Sequence, residues 1–260
     1  MIQEKGICRL GIIPVRSEPS DKSEMVSQLL FGEHYSVLEI SKNSKWKKIC
    51  NHFDQYEGWI DATQHYPISH DYFEQINNSE YKICTDIVST ILFKKSPLQI
   101  VIGSILPLSQ NELFKLDEQL AFNGESKSLG VKRDFDYLQQ IAMKFRNAPY
   151  LWGGRSPFGI DCSGFTQVVF RICGYSLTRD SSQQEKQGMT VKEIESIKPG
   201  DLAFFSNEKG TINHTGIVLE DNKIIHASGK VRIDKIDAQG IFVEATKSYS
   251  HKLHSIKRIF

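Results

Sequence analysis

The chain has 260 residues, of which 40% are hydrophobic and 24% charged, with a formal net charge of +1. That balance supports a packed core and excludes a disordered chain, and it carries no electrostatic footprint for a nucleic-acid partner. No apolar run reaches the roughly 18 to 20 residues of a membrane span, and the longest, residues 98–108, is interrupted by Gly103 and Pro107. The first twenty residues lack the basic region, apolar core and cleavage site of a secretory signal. A cytoplasmic location is therefore expected, or a periplasmic or exported one if the N-terminus has been trimmed. The five cysteines, Cys8, Cys50, Cys84, Cys162 and Cys173, are odd in number and form no CxxC pair. That argues against a disulfide framework and against a zinc site.

In chain order, residues 1–70 read as short strands and turns. Strand character at 35–40, 45–50 and 56–61 predicts a small antiparallel barrel with Trp59 on a half-buried strand. A helix over 70–77 opens a second β-rich stretch, 71–130. Strands are expected there over 81–92 and 98–106, followed by a hairpin to 112–126. From residue 131 the texture changes. Phe135, Leu138, Ile141, Ala142 and Phe145 share one helical face, Asp134 is a plausible cap and Pro149 a stop. A Gly-rich loop over 150–164 leads into a helix from about 163 to 173, with Gly174 in the C-terminal stop position. After 199–206 the chain is strand-rich, with strands at 215–220, 223–228, 242–246 and 254–260. A helical layer on an antiparallel sheet gives an α+β domain over 131–260.

The two cysteines in 159-GIDCSGFTQVVFRICG-174 stand eleven residues apart. On one helix they lie about 16 Å apart along the axis, too far for a disulfide. Cys162 sits at the helix N-terminus, where unpaired N–H groups and the dipole lower a thiol pKa and offer donors to an oxyanion. Cys173, at the other end, reads as a packed core thiol. His214 and His226 lie on what look like consecutive strands of a hairpin, where they can be neighbours across the ladder. One can then serve as base to the thiol while the other orients it. The rival arrangement, three zinc ligands from Cys162, His214 and His226, fits less well because the cysteine belongs to no close ligand pair. His251 and His254 read as surface or packing residues.

The stretches 148-APYLWGGRSPFGIDCSGFTQVVF-170, 213-NHTGIVL-219 and 224-IIHASG-229, with the Pro-Gly-Asp turn at 199–201, resemble the NlpC-type cell-wall cysteine peptidases over residues 135–260. These are papain-like enzymes that cut peptidoglycan peptides. The whole chain is similar to a subgroup, the γ-D-glutamyl-L-diamino acid endopeptidases, which carry two bacterial SH3-like domains ahead of the peptidase. Residues 14–33 and 54–61 look like the first of those domains, and 178–184 like the substrate-pocket segment. The resemblance implies two small SH3-like β-barrels, 1–70 and 71–130, followed by a papain-like α+β cysteine peptidase domain, 131–260. It makes Cys162 the nucleophile, His214 the base and His226 the orienting residue, and puts Tyr150 near the oxyanion site. Asp161, Ser163, Asp180 and Ser181 match pocket residues. Glu24 and Tyr56 are the candidates from the first domain for holding the substrate's free amino terminus, with Glu18, Glu33 and Tyr35 nearby. The implied substrate is a free murein peptide with an N-terminal L-Ala, cut between γ-D-Glu and the diamino acid in peptidoglycan turnover or recycling. No metal or organic cofactor is implied. The alternatives are a papain-like amidase or acyltransferase on another substrate, or a cell-wall binding module with a vestigial peptidase half.

Overall fold

The computed structural model describes residues 4–106 and 120–260. The expected segment 112–119 lies outside them. The chain forms two compact units, one of residues 1–131 together with Trp152–Pro157, the other of residues 132–151 and 158–260.

In the first unit, seven antiparallel strands pair in the order Met25–Leu30, Ile12–Arg16, Glu57–Asp61, Trp46–Asn51, His34–Ile40, Lys5–Ile7, Tyr66–Ile68. Ile13, Val15, Leu29, Tyr35, Ile49 and Ile60 form its core, and Trp46 and Trp59 are buried. The helix at His70–Asn77 starts at Ser69, whose side chain accepts from the Tyr72 N–H. Beyond it lie two three-stranded sheets around Phe31, Ile91, Ile100 and Leu120.

The strands expected over 81–92 and 98–106 each break in two, and the chain changes sheet at each break. Lys82–Cys84 and Ile105–Leu106 pair in one sheet, Val88–Phe93 and Ser96–Val101 in the other. At the first break the Asp86 carboxylate takes the Glu125 N–H at 2.8 Å. At the second, Gly103 holds φ +89°, a left-handed conformation that ends a strand at little steric cost only for glycine.

In the second unit, α1 (Phe135–Lys144) begins at Asp134, which accepts from the Tyr137 N–H. The helix α2 (Cys162–Ile172) is buried along its whole length. It ends in a Schellman turn. Gly174, at φ +86°, donates to Arg171 O, and Tyr175 donates to Phe170 O. A single turn, α3 (Ser181–Gln184), follows.

Six strands then run antiparallel: β1 (Leu202–Ser206), β2 (Ile212–Leu219), β3 (Lys223–Ser228), β4 (Lys230–Ile236), β5 (Gly240–Val243) and β6 (Ser248–Arg258). β6 pairs with both β1 and β5, so the sheet closes on itself. Ala203, Phe205, Val218, Ile224, Ile236 and Ile241 pack on the inner face. α2 packs against β2 and β3. β4 was not anticipated from the sequence, and β6 begins six residues before the strand expected at 254. Among the described residues no helix is long and apolar enough to cross a membrane.

Candidate active site

Cys162 is the first residue of α2. The preceding Asp161 has extended backbone, and its carboxylate caps the helix by accepting the Gly164 N–H at 2.6 Å. Both Asp161 oxygens also receive the buried Arg179 guanidinium, at 3.0 and 2.6 Å. Arg179 donates as well to Ser163 Oγ at 2.9 Å. Gln184, on α3, donates to Ser163 O and Thr178 O and accepts from Thr166 Oγ1. The segment 178–184 therefore clamps the start of α2 from within the same unit.

The thiol itself is 5% exposed. Burial pushes its pKa up to about 12, with the Asp161 carboxylate adding to the rise, while a backbone hydrogen bond with Thr215, the Arg179 charge and a backbone hydrogen bond with Ser163 pull the other way. The expectation that a helix N-terminus lowers this pKa is thus reversed. Loss of solvent is the largest cause, and the adjacent carboxylate adds to it.

The hydrogen bond with Thr215 ties the thiol to β2 one residue beyond His214. The register pairs Phe205 with His214, Gly216 with His226 and Ile241 with His251. Directly paired residues share a face, so all three histidines point to the inner side of the barrel, at the end where apolar side chains give out. His214 Nε2 lies 2.8 Å from His226 Nδ1, and His226 Nε2 lies 2.9 Å from Asp234 Oδ2. The His251 ring stacks on His214 at 4.0 Å between centroids and 22° between planes.

Burial holds the His214 imidazole well below the ordinary histidine value, and His251, His226 and Arg232 push in the same direction. His226 is lowered by burial against the opposing pull of Asp234. His251 falls to about 4, again chiefly through burial. For Asp234, burial raises the carboxyl, but His226 and Arg232 outweigh it and leave it below its usual value.

The sequence reading missed Asp234, Arg179 and Gln184, and it gave His251 a surface or packing role. Of these, Arg179 and Gln184 fall inside the 178–184 segment that the resemblance had marked.

The structure places the other expected residues as follows. Tyr150 is half-buried, and burial together with the Cys162 and Asp161 charges raises its hydroxyl to about 12, Arg179 opposing. It therefore shares the electrostatic surroundings of the thiol. Asp180 is the N-cap residue of α3 and Ser181 is buried at the first position of that turn. Glu24 and Tyr56 belong to the first unit. There Glu24 accepts the Trp152 indole N–H, and half-buried Tyr56 follows a turn in which its N–H donates to Asp54 Oδ1. Glu33 is fully committed inside the same unit. It takes the Arg155 guanidinium through both oxygens, at 2.8 and 2.9 Å, with neither side chain exposed.

Cysteine, imidazole pair and capped helix all lie within one stretch that has known counterparts. The NlpC/P60 family model matches residues 147–249. The chain carries an NlpC/P60 domain. Ahead of it, the bacterial dipeptidyl-peptidase Sh3 domain model matches residues 15–64. The NlpC/P60 domain is of the cysteine peptidase class, in a chain of mixed α+β structure with a papain-like domain after an SH3-like one. The chain is 29% identical over 222 residues to the gamma-D-glutamyl-L-lysine dipeptidyl-peptidase of Bacillus subtilis, covering 77% of this chain and 71% of that one. It is 25% identical over 249 residues to dipeptidyl-peptidase 6 of Lysinibacillus sphaericus, covering 86% and 88%. An NlpC/P60 family protein from Bacillus cereus shares the fold, with a TM-score of 0.82 at 20% identity over 98% of this chain and 99% of that one.

Proposed function

We propose that the protein hydrolyses the bond between γ-D-Glu and the diamino acid in murein peptides that bear a free N-terminal L-Ala. The observation that carries this reading is the pair His214–His226, hydrogen-bonded at 2.8 Å beside the capped start of the Cys162 helix. A nucleophile, a base and an orienting group in that relation perform thiol acyl transfer. The bond is named from the relatives, which are called γ-D-glutamyl-L-lysine dipeptidyl-peptidases and cover 77% and 86% of this chain. The same reading divides the chain at 1–70, 71–130 and 131–260.

In the proposed reaction, Cys162 passes its proton to His214 and attacks the γ-carbonyl carbon. The oxyanion is held by the Cys162 N–H at the head of α2, with Tyr150 beside it. The protonated His214 gives its proton to the leaving amine. A water, deprotonated by the same ring, then cleaves the thioester and releases L-Ala-D-Glu. Asp180 contributes negative charge for the substrate ammonium.

Mass spectrometry of L-Ala-γ-D-Glu-diamino acid tripeptides, free and N-acetylated, tests the reading. Release of L-Ala-D-Glu from the free peptide, lost in Cys162→Ala and much weaker with the acetylated peptide, is the expected result. Asp180→Asn is expected to slow the free peptide far more than the blocked one. An intact free tripeptide overturns the substrate assignment, and equal rates on the two peptides overturn the role of the free amine.

A further inference from the structure

The hydrogen-bonded chain that starts at His214 does not stop at the second imidazole. His226 Nε2 lies 2.9 Å from Asp234 Oδ2, and the Arg232 Nε lies 2.8 Å from the same oxygen as its ion-pair partner. A carboxylate only accepts hydrogen bonds, so Nε2 of His226 carries the proton. Burial keeps both rings neutral at rest, and a neutral imidazole has one N–H. Nδ1 of His226 is then an acceptor, and its partner at 2.8 Å, Nε2 of His214, is the donor. One ring nitrogen remains without a proton: Nδ1 of His214.

We infer that Asp234 is a positioning residue. By fixing the proton on His226 it fixes the proton on His214, and so makes Nδ1 of His214 the atom that receives the Cys162 proton. This rests on the reading of Cys162 and His214 as the reacting pair. The device spans three adjacent strands: His214 on β2, His226 on β3, Asp234 on β4. Asp234 pairs directly with Ile224 and so lies diagonal to His226, whose own partner is Arg232. Diagonal neighbours on one face are within reach of long or polar side chains. The other ring facing the pair, His251 on β6, meets His214 by stacking rather than by a hydrogen bond.

During the reaction the thiol proton moves to Nδ1 and His214 becomes an imidazolium with two N–H groups. The Asp234 charge stabilises that cation through the intervening His226 and itself stays ionised, as the carboxylate of a Ser-His-Asp triad does. Without it, His226 can turn its proton towards His214. His214 then carries its own proton on Nδ1 and has no lone pair to offer the thiol.

The test combines nitrogen-15 NMR of the imidazoles in the full chain with steady-state kinetics on the tripeptide, for the wild type and for Asp234→Leu, Asp234→Asn and Asp234→Glu. In the wild type both His214 and His226 are expected as the Nε2-protonated tautomer. Asp234→Leu is expected to mix the tautomers, to lower kcat by about 10²-fold, as loss of a general base costs, and to leave KM within about threefold. Asp234→Glu should restore part of the rate, and Asp234→Asn, which keeps an acceptor oxygen without the charge, should fall between. Loss of the charge also lowers the imidazolium pKa, so the low-pH limb of kcat/KM, where the neutral base is lost by protonation, should move to lower pH in Asp234→Leu. A wild-type His214 protonated on Nδ1 overturns the inference, even if Asp234→Leu fails to fold. So does an Asp234→Leu protein with wild-type tautomers and an unshifted limb. Failure of the wild type to cut the tripeptide would instead sink the substrate reading, because the tautomers are read without substrate.

Discussion

Gly216 lies directly opposite His226. A methyl group there would meet His226 Cβ at 2.8 Å and Ile224 Cδ1 at 2.8 Å, closer than packed carbons approach. The glycine of the His-Thr-Gly stretch is therefore a spacer, two residues from His214, that lets the second ring enter the barrel. Gly216→Ala is expected to displace His226 and to lower kcat by on the order of 10²-fold, as a misplacement of about 1 Å costs. Overpacking should cost about 1–3 kcal/mol of stability. Kinetics on the tripeptide and urea denaturation separate the two effects. Glu33 offers a contrasting case, in which a carboxylate near the candidates for amine binding is used up internally. Glu33→Ala would leave the fully buried Arg155 guanidinium without its counter-charge, and is expected to destabilise the first unit by about 3–5 kcal/mol, read from its urea midpoint by tryptophan fluorescence.

At the scale of elements, α2 shows what the sequence exposes and what it hides. Its start and its end at Gly174 follow from local chemistry, and short-range spacing brings out His214 and His226 on neighbouring strands. The pairing of Asp161 with Arg179 joins residues eighteen positions apart and has no local signature. It predicts two opposite effects. Asp161→Asn keeps an oxygen for the Gly164 N–H but leaves Arg179 buried without a full counter-charge, so stability is expected to fall. The same change removes the carboxylate that raises the Cys162 pKa, so alkylation of Cys162 by iodoacetamide at pH 7 should accelerate. An unchanged alkylation rate would mean that Asp161 does not act on the thiol. β4 escaped the sequence reading for a related reason. In 230-KVRIDKI-236 the inward positions near the barrel mouth are Arg232 and Asp234, so the apolar alternation that marks a strand is replaced there by charge. His251 was hidden by closure: only the pairing of β5 with β6, and of β6 with β1, brings that strand round to His214.

Across the whole molecule, the cost of keeping three imidazoles inside one barrel appears as a pH dependence of folding. His214, His226 and His251 all titrate below the ordinary histidine value, His251 at about 4. In the unfolded chain each returns to about 6.5. As pH falls through that value the unfolded chain takes up protons that the folded barrel refuses. The stabilising preference for neutral rings, complete above about 6.5, is lost progressively as pH drops towards the folded values. Asp234 acts in the same direction, since its carboxyl is also lowered on folding. Its contribution is present above the ordinary carboxylate pKa and fades only in more acidic solution, so it adds little to the histidine effect between pH 6.5 and 4. All three tryptophans, Trp46, Trp59 and Trp152, belong to the first unit, so their fluorescence does not follow the barrel. Protection of the buried Cys173 thiol against pulse labelling in urea does. The protection midpoint is expected to fall as pH is lowered from 6.5 to 4, and to fall less steeply in His251→Phe, while the tryptophan transition responds to pH as in the wild type. A midpoint with the same pH slope in both proteins would show that the stacked His251 ring takes up its proton equally well in the folded and unfolded chain.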